Sequence, residues 1–318
     1  MEMNAKQVRL RYTNPVWDGY LADPHALRAS DGFYYSIGTG SKDVHDRHFP
    51  MLKSKDMQRW KLVGGVLTEV TQPFLERYWA PEVAEKDGKF YLYYSGNMRM
   101  RVAVADRPTG PYKDLGKELL PGYGFNIDGH PFRDPVSGKW YLYFAKKFRF
   151  SPQRFGTGLA VVELSEDMES VVGPIHDITT EFRDWQKFGT RPGEHCVEGA
   201  SVIYKDGKYW CFYSGADWKT PTYGVGCLVS DSVMGPYEDV WSIDGASVVS
   251  TIEDELVGPG HTSVLLGPDE KTWFLVYHSW NDELTKRQMC LDPLVWTEEG
   301  PKVHNPARGK KTVKIPLK

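Results

Sequence analysis

The segment Asp87-Gly88-Lys89-Phe90-Tyr91-Leu92-Tyr93-Tyr94 places a turn dipeptide directly before a run of aromatic and aliphatic residues. An Asp-Gly pair ahead of such a run is a strong hairpin signal, because a type I′ turn needs two residues with positive φ. The same order of turn and aromatic strand recurs at four other places, which begin at Asp31, Ser137, Asp206 and Asp269. We therefore interpret residues 87–94 as one copy of a repeated β-hairpin.

The spacing of the repeat indicates the architecture. Successive turns are roughly 50 to 70 residues apart, a period typical of propeller blades and other arrays. Shorter motifs between the hairpins also recur, since residues 105–112 resemble residues 230–237, and we interpret them as turns into outer strands. Two inner and two outer strands per repeat predict an all-β, five-bladed β-propeller with four antiparallel strands per blade. A β-sandwich is the alternative fold for the same hairpins.

Composition limits the classes of partner. The 318 residues contain 39 Lys and Arg against 42 Asp and Glu, a net charge of −3. This balance gives no basic surface for nucleic acid or an anionic membrane. No apolar run reaches the ~18 residues that span a bilayer, and no signal peptide is visible. We expect a single catalytic domain over residues 1–318 and a cytoplasmic location, or secretion if a leader has been removed, and we make no prediction of the oligomeric state.

The start of each inner strand carries the functional signal. Counting back about eight residues from each turn reaches, in chain order, Asp23, Trp79, Asp128, Glu198 and His261. Inner strands of a propeller surround a central axis, so we expect these side chains to ring one end of it. Packing does not explain three carboxylates at a crowded point, because burial and mutual repulsion both disfavour them. Carboxylates in a central cleft are candidates for acid–base catalysis.

Glycoside hydrolysis requires two carboxyl groups on opposite sides of a sugar. A protonated acid donates to the leaving oxygen, while a carboxylate on the other face deprotonates water. A third carboxylate can raise the pKa of the acid by repulsion. Trp79 is suited to stack on the apolar face of a sugar. We therefore predict an oligosaccharide or polysaccharide substrate and a catalytic set of Asp23, Asp128 and Glu198.

The chain resembles glycoside hydrolase family 43 over nearly its whole length. The resemblance implies a five-bladed propeller that inverts the anomeric carbon and removes α-L-arabinofuranosyl or β-D-xylosyl units. It also implies that Asp23 is the general base, Asp128 the pKa modulator and Glu198 the general acid. The ordered motifs that carry it are Ala22-Asp23-Pro24, Tyr78-Trp79-Ala80-Pro81-Glu82, Ile127-Asp128, Glu198-Gly199, Gly258-Pro259-Gly260-His261, Tyr277-His278 and Arg287-Gln288-Met289.

Two further residues take roles from the same resemblance. Arg287 matches a substrate-contacting arginine, and its fork of donors suits sugar hydroxyls and can hold Asp128 ionised. His261 matches a central histidine that in some members faces a calcium or other ion through water. The resemblance thus implies a structural calcium ion on the propeller axis, with substrate contacts from Trp79, Arg287 and His261. The chemistry itself requires no cofactor.

Several activities remain open at this point. The main expectation is an exo-acting α-L-arabinofuranosidase for arabinan or arabinoxylan oligosaccharides, with β-D-xylosidase or arabinanase as alternatives within the family. A non-catalytic carbohydrate-binding propeller and a protein-interaction scaffold are alternatives of other classes. The triplet Arg133-Asp134-Pro135 also occurs in invertase-like fructan-cleaving enzymes, but we interpret Asp134 and Pro135 as part of a turn.

Overall fold

The computed structural model describes residues 7–69, 76–306 and 308–316. Within these residues the regular structure consists of β-strands and one 3₁₀ helix at Asp184–Gln186, so the all-β prediction is confirmed. No helix in this part of the chain is long and apolar enough to cross a membrane. The strands are arranged mainly as consecutive antiparallel meanders, in which each strand pairs with the next along the chain.

The meanders follow chain order, and strand β1 (Gln7–Asn14) precedes them. The first three contain β2 (Ala22–Arg28), β3 (Tyr34–Thr39), β4 (His48–Ser54), β5 (Lys61–Glu69), β6 (Tyr78–Lys86), β7 (Lys89–Gly96), β8 (Arg99–Ala105), β9 (Tyr112–Glu118), β10 (Asn126–Arg133), β11 (Trp140–Ser151), β12 (Arg154–Leu164) and β13 (Val171–Asp177). The remaining strands are β14 (Glu194–Lys205), β15 (Lys208–Gly215), β16 (Gly224–Ser230), β17 (Val257–Leu266), β18 (Trp273–Trp280), β19 (Arg287–Thr297), β20 (Gly300–Val303) and β21 (Gly309–Pro316).

The first strand of each meander faces the centre of the molecule. These innermost strands contact one another in a closed ring, in the order β2, β6, β10, β14, β17 and back to β2. Such a ring is the arrangement of a propeller, and the described residues contribute five meanders to it. Strand β1 lies outside this pattern and pairs with β21, a pairing that the hairpin repeat did not predict.

The prediction of four strands in every blade is wrong in one meander. Strands β14, β15 and β16 are followed, within residues 231–256, only by isolated bridges such as that between Val229 and Glu238. In place of a fourth strand, the side chain of Ser242 binds β16. Its Oγ accepts the N–H of Cys227 at 3.1 Å. The segment is also rich in small and turn-forming residues, which disfavour a continuous strand.

The repeated aromatic residues form the core between neighbouring sheets. Tyr93, Tyr143 and Tyr277 on the second strands are fully buried. A buried hydroxyl needs a hydrogen-bond partner. Tyr93 donates to the carbonyl of Met168 at 2.7 Å, and Tyr277 donates to Asp292 at 2.8 Å. The motif that marked each hairpin in the sequence is therefore also what packs the sheets around the axis.

Candidate active site

A β-bulge interrupts each innermost strand near its start. At every bulge one residue has a positive φ, a conformation that is uncommon for residues other than glycine. Bulges re-aim side chains and are frequent beside active sites. The five bulge residues are Asp23 (φ 51°), Ala80 (φ 43°), Asp128 (φ 58°), Gly199 (φ 59°) and His261 (φ 44°).

The predicted ring is therefore right at three positions and displaced at two. Ala80 and Gly199 occupy the bulge position, whereas Trp79 and Glu198 directly precede it. Counting back from the turns missed this, because the number of residues between bulge and turn differs among the meanders. Trp79 and Glu198 still reach the same cavity as the bulge residues.

Hydrogen bonds between meanders fix the backbone of the bulge residues. Their acceptors are side chains on the second strand of the preceding meander, so each blade holds the next. Gly199 is bound differently, since its N–H donates to the carboxylate of Asp128. The other four N–H groups donate from Asp23 to His278 Nδ1 (3.1 Å), from Ala80 to Thr39 Oγ1 (2.8 Å), from Asp128 to Ser95 Oγ (3.0 Å) and from His261 to Ser214 Oγ (2.7 Å).

The ring opens into a cavity of about 560 Å³. A volume of this size is in the range that binds small ligands. All the residues that the sequence predicted for the site line it, namely Asp23, Trp79, Asp128, Glu198, His261 and Arg287. Asp134 is not among the lining residues, and its carboxylate instead accepts the backbone N–H groups of Val136 and Ser137 in a turn, as interpreted from the sequence.

Asp23 is held in its ionised form. Its Oδ1 lies 3.0 Å from Arg287 Nη1, and its Oδ2 accepts a hydrogen bond of 2.7 Å from Thr39 Oγ1. Burial raises the pKa of Asp23, but the positive charges of Arg287 and His261 and the Thr39 hydrogen bond together bring the pKa well below its usual range. Asp23 is therefore an oriented carboxylate that faces the cavity.

Asp128, which interacts electrostatically with Glu198, has the opposite tendency. Burial raises the pKa of Asp128 to about 8, with further contributions from the negative charges of Glu198 and Asp23, against the lowering effects of His261 and the Gly199 N–H. A pKa in this range keeps a proton on Asp128 near neutral pH, because a second negative charge beside Glu198 is disfavoured in a dry site. Glu198 itself accepts a hydrogen bond of 2.8 Å from the hydroxyl of Tyr223.

Gly199 is required between these groups. A Cβ atom at this position would lie 3.1 Å from the ring of His261, and the φ of +59° is strained for any other residue. The glycine therefore allows His261 to approach the acidic pair. Together with the Gly199 N–H that binds Asp128, this explains the Glu-Gly sequence at residues 198–199 in structural terms.

Arg287 pairs with Asp23, so the expectation that it holds Asp128 ionised is wrong. Its guanidinium lies 4.4 Å above the ring of Trp218, and its Nη2 donates to the hydroxyl of Tyr20 at 3.2 Å. Arginine stacks on aromatic faces while its donors stay available at the edge. Arg287 therefore forms one wall of the cavity and supports the carboxylate of Asp23 from the side.

His261 lies among the acidic side chains of the cavity. Burial lowers its pKa, but the negative charges of Asp23, Asp128, Glu198 and Glu82 outweigh burial and raise the pKa above its ordinary value. The surroundings thus favour a protonated ring. The calcium ion that the resemblance implies, in contact with His261 through water, stays a prediction. Nδ1 of His261 lies 3.5 Å from Asp23 Oδ1, a distance that suits charge pairing.

Several lining residues had no signal in the sequence. Tyr20, Phe125, Lys147 and Trp218 all face the cavity. They lie beyond the repeated hairpin and at no shared offset from its turns, so periodicity could not find them. Tyr223, which binds Glu198, belongs to the same irregular connection between β15 and β16 as Trp218.

Comparisons with known proteins agree with this geometry. The family model for glycosyl hydrolases family 43 matches residues 12–301. The chain is 30% identical over 312 residues to a β-D-galactofuranosidase of Aspergillus niger, covering 90% of this chain and 83% of that protein. It is 26% identical to an extracellular exo-α-(1→5)-L-arabinofuranosidase of Streptomyces avermitilis, covering 91% of this chain and 62% of that protein.

A solved structure shows the same architecture. A thermostable family-43 glycoside hydrolase superposes with a TM-score of 0.83 at 28% identity, over 96% of this chain and 99% of that one. The match extends through all the meanders and confirms the predicted propeller fold.

Proposed function

The chain belongs to glycosyl hydrolases family 43 and is an O-glycosyl hydrolase, and from this premise we propose that it is an inverting, exo-acting α-L-arabinofuranosidase. One observation carries the catalytic assignment: Asp23, Asp128 and Glu198, from three different meanders, line a single cavity. Asp23 favours the ionised state, whereas Asp128 holds a proton near neutral pH. Neighbouring carboxyl groups in opposite states are suited to act as base and acid.

Asp23 acts as the general base in this proposal. Its carboxylate is fixed in one plane by Arg287 and Thr39, which bind different oxygens. A water molecule between Asp23 and the anomeric carbon gives up a proton to the carboxylate as its oxygen attacks that carbon. Attack from the side opposite the leaving group inverts the configuration.

Glu198 acts as the general acid, and Asp128 keeps the proton available to it. As the bond between the anomeric carbon and the leaving oxygen breaks, the proton of the Asp128–Glu198 pair passes from Glu198 to that oxygen. The Tyr223 hydroxyl, 2.8 Å from Oε1, orients the Glu198 carboxyl group. After product release the enzyme regains one proton on the pair and loses one from Asp23.

The walls of the cavity are suited to a single sugar unit. Trp79 and Trp218 supply aromatic faces, and Arg287 supplies donors for hydroxyl groups. The protonated ring of His261 adds another donor near Asp23. These groups surround the acidic ring at one end of the axis, which supports removal of terminal units rather than cleavage within a chain.

A second candidate, β-D-galactofuranosidase, is favoured by the Aspergillus niger relative at 30% identity. α-L-Arabinofuranose and β-D-galactofuranose share the configuration of the furanose ring, and galactofuranose carries one additional hydroxymethyl group. The same acid and base therefore serve both, and only the space beyond the ring selects between them. β-D-Xylosidase and arabinanase remain alternatives because such enzymes of Bacillus subtilis are also relatives, at 24% and 22% identity.

A panel of nitrophenyl glycosides tests the proposal. We expect kcat/KM for the α-L-arabinofuranoside to exceed that for the β-D-galactofuranoside and the β-D-xylopyranoside by about 10-fold or more. One added group that does not fit a small pocket lowers kcat/KM by a factor of this size. Linear arabino-oligosaccharides should release only monomers. Preference for the galactofuranoside would assign the second candidate instead. Sugar binding without turnover of any substrate would identify a carbohydrate-binding propeller.

The substrate is a carbohydrate, as the family establishes. The single domain, the absence of nucleic-acid and membrane partners, and chemistry without a cofactor stay predictions, and the proposed steps use only side chains of this chain. The cytoplasmic location also stays a prediction, although the Streptomyces relative is named extracellular.

A further inference from the structure

A second polar ring lies next to the bulge residues along the innermost strands. It consists of the residues two positions after each bulge residue, which are His25, Glu82, His130, Ser201 and Ser263, all buried. Three of them accept a backbone N–H from the following meander. These bonds run from Val202 to His130 Nε2 (3.0 Å), from Val264 to Ser201 Oγ (3.1 Å) and from Ala26 to Ser263 Oγ (2.9 Å).

Glu82 cannot take part in this pattern. The residue of the next meander that would donate to it is Pro131, which has no N–H. The Glu82 carboxylate instead lies between two imidazole rings. Its Oε2 is 2.6 Å from His130 Nδ1 and 3.0 Å from His25 Nδ1. Three buried titratable groups from three meanders therefore meet beside the catalytic ring.

Hydrogen-bond partners determine where protons lie on His130. Its Nε2 accepts the N–H of Val202, so this nitrogen carries no proton. The single proton of a neutral ring is then on Nδ1, which donates to Glu82. His130 is therefore neutral, with both nitrogens in use.

The same reasoning gives a different state for His25. Its Nε2 lies 3.1 Å from the carbonyl oxygen of Val83, which only accepts, so Nε2 is protonated. If the ring were neutral, its Nδ1 would direct a lone pair at the Glu82 carboxylate. A second proton at Nδ1 removes this repulsion, although the angle there is poor for a hydrogen bond. The contacts of His25 therefore fit a ring that carries a proton on both nitrogens.

A metal ion is the competing occupant, because the two Nδ1 atoms and a Glu82 oxygen lie within 4.8 Å of one another. Metal binding at Nδ1 of a neutral histidine leaves the proton on Nε2. In His130 that proton would face the N–H of Val202, so two donors would oppose each other. The partners of His130 therefore fit a proton better than a metal ion.

We propose that His25, Glu82 and His130 form a buried, proton-holding cluster that positions Asp23 and Asp128. His25 and Asp23 lie two residues apart on β2, and His130 and Asp128 lie two residues apart on β10. The attraction of Glu82 for both rings draws these strands to β6, so the cluster fixes the spacing of the two aspartates. The positioning role rests on the proposed function, whereas the protonation states do not.

Glu82 is the acidic member of the cluster. Burial raises the pKa of Glu82, but its interactions with His130 and His25 outweigh burial and lower the pKa to about 2. Glu82 is therefore ionised throughout the range in which the enzyme is expected to work. The His25, Glu82 and His130 residues touch no substrate in this arrangement and act only through the strands that carry the aspartates.

Nitrogen-15 NMR of the full-length protein with labelled histidines tests the protonation states. We expect both ring nitrogens of His25 to give protonated signals at pH 7, while His130 shows a protonated Nδ1 and an unprotonated Nε2. Histidine-to-asparagine variants assign the signals. An unprotonated Nδ1 in His25 would overturn the proposal. The proposal would also be overturned if the protein retained one equivalent of zinc after incubation with ZnCl₂ and dialysis, and Glu82→Gln abolished that retention.

A pair of variants tests the positioning role. His130→Gln keeps an acceptor for the Val202 N–H but removes the proton donor to Glu82. We expect kcat to fall about 10- to 100-fold with little change in KM, because the catalytic groups would be misplaced. Ser201→Ala removes an acceptor of the same ring without touching the cluster, and we expect less than a roughly twofold change in kcat. If His130→Gln and Ser201→Ala lost kcat to the same extent, the cluster would have a merely structural role and the proposal would be overturned. If wild type hydrolyses no glycoside, the proposed function fails, while the NMR result still decides the cluster.

Discussion

Glu198→Gln should abolish the release of arabinose from arabino-oligosaccharides, with a fall in kcat of about 10²- to 10⁴-fold. Glutamine has no proton to give the leaving oxygen, but its carbonyl can still accept the hydrogen bond from Tyr223. The fold and the sugar contacts should therefore survive. The fall should be far smaller on a dinitrophenyl arabinofuranoside, because a dinitrophenolate leaves without protonation. Steady-state kinetics on the two substrates measure the difference.

Asp23→Asn is the matched control for this leaving-group effect. An amide cannot take a proton from water, so both substrates should lose activity to a similar extent. Asparagine can still accept from Thr39 and lies beside Arg287, which preserves the shape of the site. If Glu198→Gln also lost activity equally on both substrates, Glu198 would not be the acid.

Asp128→Asn should move the alkaline limb of the pH profile. In wild type the proton on Asp128 is lost as the pH rises through its raised pKa of about 8, so kcat/KM should fall above that pH. Without the Asp128 carboxyl group the proton is no longer held between two like charges. The limb should then shift to lower pH by at least about one unit, and the maximal kcat should fall.

Profiles of kcat/KM against pH for wild type and Asp128→Asn measure this shift. Ser95→Ala, which removes only the acceptor for the Asp128 backbone N–H, is a control that leaves the charges in place. A limb that stays at the same pH in Asp128→Asn would show that the proton belongs to another group.

The repeated hairpin predicted the fold because it combines two strong local rules. A turn dipeptide sets each hairpin, and the aromatic residues after it, such as Tyr93 and Tyr143, fill the space between sheets. The carboxylates that we propose as catalytic could be singled out because they start strands that converge on one axis. The offset failed by one residue at Trp79 and Glu198, since the distance from bulge to turn is not constant along the chain.

Other features depend on contacts that no spacing reveals. Arg287 pairs with Asp23 instead of Asp128 because the last meander packs against the first. The two residues are 264 positions apart in the sequence. Trp218 and Tyr223 reach the cavity from an irregular connection. The cluster around Glu82 arises because Pro131 lacks an N–H, an effect that is visible only once the strands are placed side by side.

The stereochemistry of the first-formed product tests whether Asp23 and Glu198 act as base and acid on opposite faces of one sugar. Proton NMR recorded in the first minutes of hydrolysis of an α-L-arabinofuranoside, before mutarotation, identifies that product. We expect β-L-arabinofuranose to form first, the result of a single inverting displacement by water. Initial formation of the α-anomer would mean retention through a covalent intermediate and would contradict the roles assigned to both carboxyl groups.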